Sequence, residues 1–62
     1  MQAYKHLKTG KVYILMFTAY MEGDRQHVVV YRRLGGNDAT ETWVRPADEF
    51  FDGRFALIDM EA

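Results

Sequence analysis

The chain contains no cysteine and no serine, one proline, one tryptophan and two histidines in 62 residues. Without cysteine there is neither a disulfide staple nor a thiolate zinc site. Two isolated imidazoles, His6 and His27, are a poor basis for a structural metal. Without serine or cysteine the commonest nucleophiles for acyl transfer are missing. The acids Asp48, Glu49, Asp52, Asp59 and Glu61 sit where a helix start, a turn and a chain end would use them for capping and solvation. Gly35-Gly36 lacks the Lys-Thr of a Walker loop and the third glycine of a dinucleotide fingerprint. The expectation is therefore a protein that is not an enzyme, with no catalytic residue, no cofactor and no metal.

A strong charge bias is missing as well. The formal net charge of -1 and a pI near 6.0 argue against a chain whose main task is to coat nucleic acid through its phosphates. The charge is nevertheless uneven: residues 1–33 carry six Lys/Arg against two acids, and residues 34–62 carry two Arg against seven acids. The two halves are expected to attract one another within the fold or across a dimer. There is no signal-peptide pattern, and the apolar run after Val12 is too short and too far inside to span a membrane. A soluble cytoplasmic protein is expected.

What is present is a heavy apolar load: 48% hydrophobic residues, with four Tyr, four Phe and the one Trp. A chain this short buries only roughly 60% of the surface that it exposes when unfolded, which leaves a marginal core. With staples and metals set aside, self-association as a homodimer is the expected support. The chain reads as a single domain over residues 1–62, without repeats or linkers.

Val12 to Tyr20 is rich in β-branched and aromatic residues and predicts a long strand, apolar on both faces: Val12, Ile14 and Met16 alternate with Tyr13, Leu15 and Phe17. Met21-Glu22-Gly23-Asp24-Arg25 is a turn leading to a second strand over residues 26–34, the clearest hairpin in the chain. On that strand His27, Val29, Tyr31 and Arg33 share one face, and Val28, Val30, Arg32 and Leu34 the other. A turn over residues 35–38 leads to a strand over residues 41–45. A helical turn over residues 47–51 follows, with proline at its first position, and a last strand spans residues 54–60. Four or five strands with short connections predict an all-β fold, a small SH3-like antiparallel barrel with one short helical turn after Pro46. Phe50 and Phe51 are expected to plug one end of it.

Trp43 and Arg45 point to the same side of an extended chain, so an aromatic plane sits beside a fixed cation. Such a guanidinium needs a carboxylate, a stacked ring or a phosphate. In the structural reading Arg45 pairs with Asp48 or Glu49 and stacks on a ring. In the functional reading Trp43, Arg45, Tyr31, Arg32, Arg33 and His27 form a ligand site that stacks a base and neutralises a phosphate.

Several segments together resemble a known family. Tyr4-Lys5-His6-Leu7-Lys8-Thr9-Gly10-Lys11-Val12-Tyr13, Val29-Val30-Tyr31-Arg32, Trp43-Val44-Arg45-Pro46 with Phe50, and Arg54-Phe55 resemble, in order, the small bacterial and phage family called domain of unknown function sixteen-fifty-three. Trp-Val-Arg-Pro shortly after Val-Tyr-Arg is the most specific piece. The chain departs from the pattern at Ala19 to Gly23 and at Asp52-Gly53. The resemblance implies a compact all-β module with no assigned activity. Combined with the arginine-aromatic grouping, it leads to an expectation of a non-catalytic homodimer, phage-type, that binds and sequesters a small nucleotide-like anionic ligand. The alternatives are a nucleic-acid-binding barrel using Lys5, Lys8, Lys11, Arg25 and Arg32 as a phosphate track, and a protein-interaction module.

Overall fold

The computed structural model describes residues 2–37 and 40–59. Five antiparallel strands form one sheet: β1 Gln2–His6, β2 Val12–Tyr20, β3 His27–Arg33, β4 Thr42–Pro46 and β5 Phe55–Asp59, in the order β4-β3-β2-β1-β5. The helical turn α1, Ala47–Phe50, follows β4 directly. The all-β expectation holds in strand number, antiparallel pairing and the helical turn. The sheet is not a closed barrel, because β4 and β5 are its two edges and are not hydrogen-bonded to each other. Predicted positions 38 and 60 lie outside the described residues.

The sheet curls instead around the side chain of Phe50. Pro46 serves as the N-cap of α1 with φ -53° and ψ 137°, one position earlier than the sequence suggests, and it turns the chain from β4 back over the sheet. Asp48 and Glu49 lie in the first turn, where the exposed N–H groups favour acids. Phe50 is fully buried and meets Tyr4 of β1, Tyr31 of β3 and Phe55 of β5, with ring centroids 5.0, 5.2 and 4.3 Å away. Tyr13 of β2 joins the cluster through Tyr31 and Phe55. Phe51, the expected second plug, is 55% exposed, since consecutive helical residues point about 100° apart.

The register fixes what shares a face. Leu15, Tyr31 and Trp43 lie opposite one another on the concave side, and Val29 lies opposite Arg45 on that side. Strand β2 does not keep one alternation: the register shifts between Leu15 and Phe17, so Met16 is bulged out. Phe17 therefore moves to the convex face, in a row with Val30 and Val44, rather than continuing the series of Tyr13 and Leu15. Tyr20 is 71% exposed beyond the bulge.

The β2–β3 hairpin closes with Met21 N–H donating to the Gln26 carbonyl and Arg25 N–H to the Met21 carbonyl. Arg25 has φ 58°, the only positive value at a non-glycine among the described residues. That conformation crowds its Cβ against the backbone. Arg25→Gly is expected to raise stability by roughly 0.5–1 kcal/mol, the steric relief being partly offset by the freer unfolded chain. A lower urea midpoint would show that the turn is not strained there. Phe50→Ala should cost about 3–5 kcal/mol, whereas Phe51→Ala should stay within about 1 kcal/mol. Equal losses in denaturant titrations would contradict the central place of Phe50.

Candidate functional site

A cleft of about 520 Å³ opens where the β1–β2 turn, the end of β4 and the approach to β5 meet, and His6, Leu7, Lys8, Arg45 and Arg54 line it. Local hydrogen bonds build its walls. His6 N–H donates to the Lys11 carbonyl and Gly10 N–H to the His6 carbonyl, with Gly10 at φ 76° completing the tight turn that carries Lys8. Leu7 N–H donates to the Arg54 carbonyl at 3.0 Å and ties that turn to the start of β5. The Asp52 carboxylate accepts from Arg54 N–H at 3.2 Å and shapes the turn from α1.

The aromatic core supports the charged groups. The Arg45 guanidinium lies 5.5 Å from the centroid of Phe55, and its Nε donates to the Tyr31 hydroxyl at 3.3 Å. The Tyr31 hydroxyl first, then the more distant Glu49 and Asp52, holds the Arg45 pKa above its ordinary value, so its charge is permanent. The expected carboxylate partner does not materialise: among the described residues Arg45 is in no ion pair. The His6 ring packs against Phe55 at 4.8 Å, and its Nδ1 is paired with the Thr9 hydroxyl at 3.0 Å. Arg54 is engaged by carboxylates, with Asp52 at 3.1 Å from Nε and Glu49 at 3.2 Å from Nη1.

The structure divides the six residues expected to form a ligand site. Tyr31, Trp43 and Arg45 stand on the concave face of adjacent strands, with Trp43 46% exposed, two residues from Arg45. Arg33 is on that side but is bound in a two-pronged ion pair with Glu41, one prong being Nη2 to Oε1 at 3.0 Å. The loop is built around this pair: a Cβ on Gly36 would lie 3.0 Å from the Glu41 carboxyl group. His27 stacks on Tyr20 at 4.9 Å, at the β2–β3 hairpin end and outside the cleft. Arg32 belongs to the convex face, in line with Ile14 and Thr42. The cations of the alternative phosphate track are dispersed too: Lys5 and Arg32 are convex, Lys8 and Lys11 lie in one turn, and Arg25 lies in another.

His6, Lys8 and Arg54 were not expected at the site. A lone histidine, a turn lysine and a turn arginine carry no local signal of a common pocket. The signal available was their place in the family-like segments, since every residue lining the cleft falls within Tyr4 to Tyr13, Trp43 to Pro46 or Arg54-Phe55. Among the described residues, no helix is long and apolar enough to cross a membrane.

The Arg33 hydrogen bonds lower the Glu41 pKa below its ordinary 4.5, so the pair stabilises the fold above that pH and loses its contribution as the pH falls below it. Glu41→Gln should lower the melting temperature at pH 7, and the gap to the parent chain should narrow on acidification through the carboxylate range. A gap constant from pH 7 to pH 3 would remove the pair as a source of stability.

A family model described as "protein of unknown function (DUF1653)" matches residues 2–55 of the chain. No curated protein and no solved structure matches it.

Proposed function

We propose that this chain, which belongs to the DUF1653 family of proteins of unknown function, is a non-catalytic binding module of bacterial or phage cytoplasm that holds a small anionic ligand with an aromatic part, such as a nucleotide. The observation that carries this reading is the cleft in which Lys8, Arg45, Arg54 and His6 converge beside the ring of Phe55. Cations fixed by packing are the chemistry of phosphate and carboxylate recognition. The exposed ring of Trp43, on the same face of β4 as Arg45, is a platform on which a base can stack. The charge of Arg45 has no carboxylate partner among the described residues and so favours an anion from outside. Retention without turnover is what a sequestering protein requires.

The reading includes a homodimer. Phe17 and Val44 are 53% and 58% exposed and flank half-buried Val30 in one convex row, an apolar stripe that a second copy can cover.

Calorimetry with a panel of linear and cyclic nucleotides is expected to find at least one ligand with Kd of about 100 µM or tighter, roughly -5.5 kcal/mol. Silence across the panel at millimolar concentration would end the reading. Native mass spectrometry should give a dimer that Phe17→Glu converts to monomer, and a parent chain that is monomeric at tens of micromolar would remove the dimer.

A further inference from the structure

We infer that the cleft receives a terminal phosphoryl group, as in a phosphomonoester, in preference to an internal phosphodiester, with Arg45 as its two-pronged receptor and Arg54 held by Glu49 and Asp52 until the ligand arrives. This rests on the anion-binding reading above and narrows it.

Arg45 is oriented from behind. Its Nε is committed to the Tyr31 hydroxyl, and its guanidinium carbon lies over the Phe55 ring, 5.5 Å from the centroid. The two terminal nitrogens remain, and they form the edge that meets two oxygens of one phosphate at once. Tyr31 is buried, so its hydroxyl is a fixed stop rather than a solvent contact, which makes Tyr31 a positioning residue for Arg45. Across the cleft, the tautomer of His6 in which Nδ1 accepts from the Thr9 hydroxyl leaves Nε2–H to donate to a ligand, and Lys8 brings an ammonium with three donors.

Arg54 differs from Arg45 in being neutralised already. Its Nε and Nη1 face Asp52 and Glu49, and Nη2 is the nitrogen outside those two pairs. An incoming anion must compete with two carboxylates for this guanidinium and must tolerate their charge. A phosphodiester brings one negative charge and two non-bridging oxygens. A phosphomonoester brings about 1.5 to 2 charges near neutral pH and three such oxygens. The donors of Arg45 at the end of β4 and of His6 and Lys8 at the β1–β2 turn can occupy three oxygens. The second charge gives the competition for Arg54 its driving force.

The test is calorimetry at low salt with inorganic phosphate, a 5′-mononucleotide and the matched 3′,5′-cyclic mononucleotide. The 5′-mononucleotide should bind at least about tenfold more tightly than the cyclic form, and inorganic phosphate should compete for its site. Arg45→Met should weaken the monoester at least about tenfold. Arg45→Lys, which keeps the charge without the fork, should weaken the monoester severalfold and gives the same direction of change if the Met variant does not fold. Tyr31→Phe should weaken binding severalfold with the melting temperature nearly kept. Glu49→Gln with Asp52→Asn should strengthen it severalfold by releasing Arg54. Equal or tighter binding of the cyclic form would overturn the inference and leave the anion-binding reading standing. Unchanged or weaker binding by the Glu49/Asp52 variant would overturn the role of Arg54. Absence of binding by all three probes would sink both readings together.

Discussion

The near-parallel stack of Phe50 on Phe55, 4.3 Å between centroids and 14° between planes, is the contact through which this sheet acquires an inside. A single five-stranded layer exposes two faces to water, and its edges here are not joined by hydrogen bonds. The chain solves the problem with four helical residues. They return from edge strand β4 and place one ring against Tyr4, Tyr31 and Phe55, so that side chains from β1, β3 and β5 converge where backbone pairing does not. The edge-to-face contacts among these rings are the favoured arrangement for aromatic quadrupoles and add to the apolar area removed from water. In a chain with no disulfide and no larger second layer, this cluster carries the burial on which the fold depends.

The candidate site is attached to the same rings. Phe55 contacts Phe50 and is also the surface against which His6 and Arg45 rest, and Tyr31 contributes its ring to the core and its hydroxyl to Arg45. Geometry at the cleft is therefore set by core packing, the condition under which charged side chains become preorganised receptors. The uneven charge of the two halves takes on a particular form. Arg33 and Glu41 join the halves in an ion pair, while the curl of the sheet sets Lys8 of the first half on the same cleft as Arg45 and Arg54 of the second.

Elements with local signals were legible in the sequence. The β2–β3 hairpin has its turn residues, β4 ends at a proline that cannot continue a ladder, and α1 follows with acids in its first turn. Strand β1 was less so, since Gln-Ala-Tyr-Lys-His has little β propensity and is held by pairing to β2 across a short turn and to β5, which is distant in sequence. The bulge at Met16 was hidden because Val12 to Tyr20 is apolar on both faces, leaving no alternation whose break could reveal it. The grouping of Tyr31, Trp43 and Arg45 followed from strand parity. The convergence of His6, Lys8 and Arg54 did not, because it arises from curvature, which the period of a strand does not encode. Parity alone also separates Arg32 from Arg33, and only the loop return through Glu41 shows that Arg33 is occupied.

Arg45 is where the requirements of folding and of binding part. A half-buried guanidinium loses hydration, which burial penalises, and its direct partners within the fold are a hydroxyl and a ring, with Glu49 and Asp52 acting on it without an ion pair. For stability alone, an apolar side chain of similar length over Phe55 would avoid that penalty, and replacing buried charge by well-packed apolar groups is often neutral or stabilising. Nine residues along the chain, Arg54 has two carboxylates close by and carries no comparable deficit. Two arginines on one cleft with different degrees of compensation would, under the proposed function, make an asymmetric receptor: Arg45 is in no ion pair among the described residues, and Arg54 would yield its charge only to a ligand that outcompetes Glu49 and Asp52. Under the proposed function such an arrangement would select anions by their charge as well as their shape, a property that the aromatic core alone would not require.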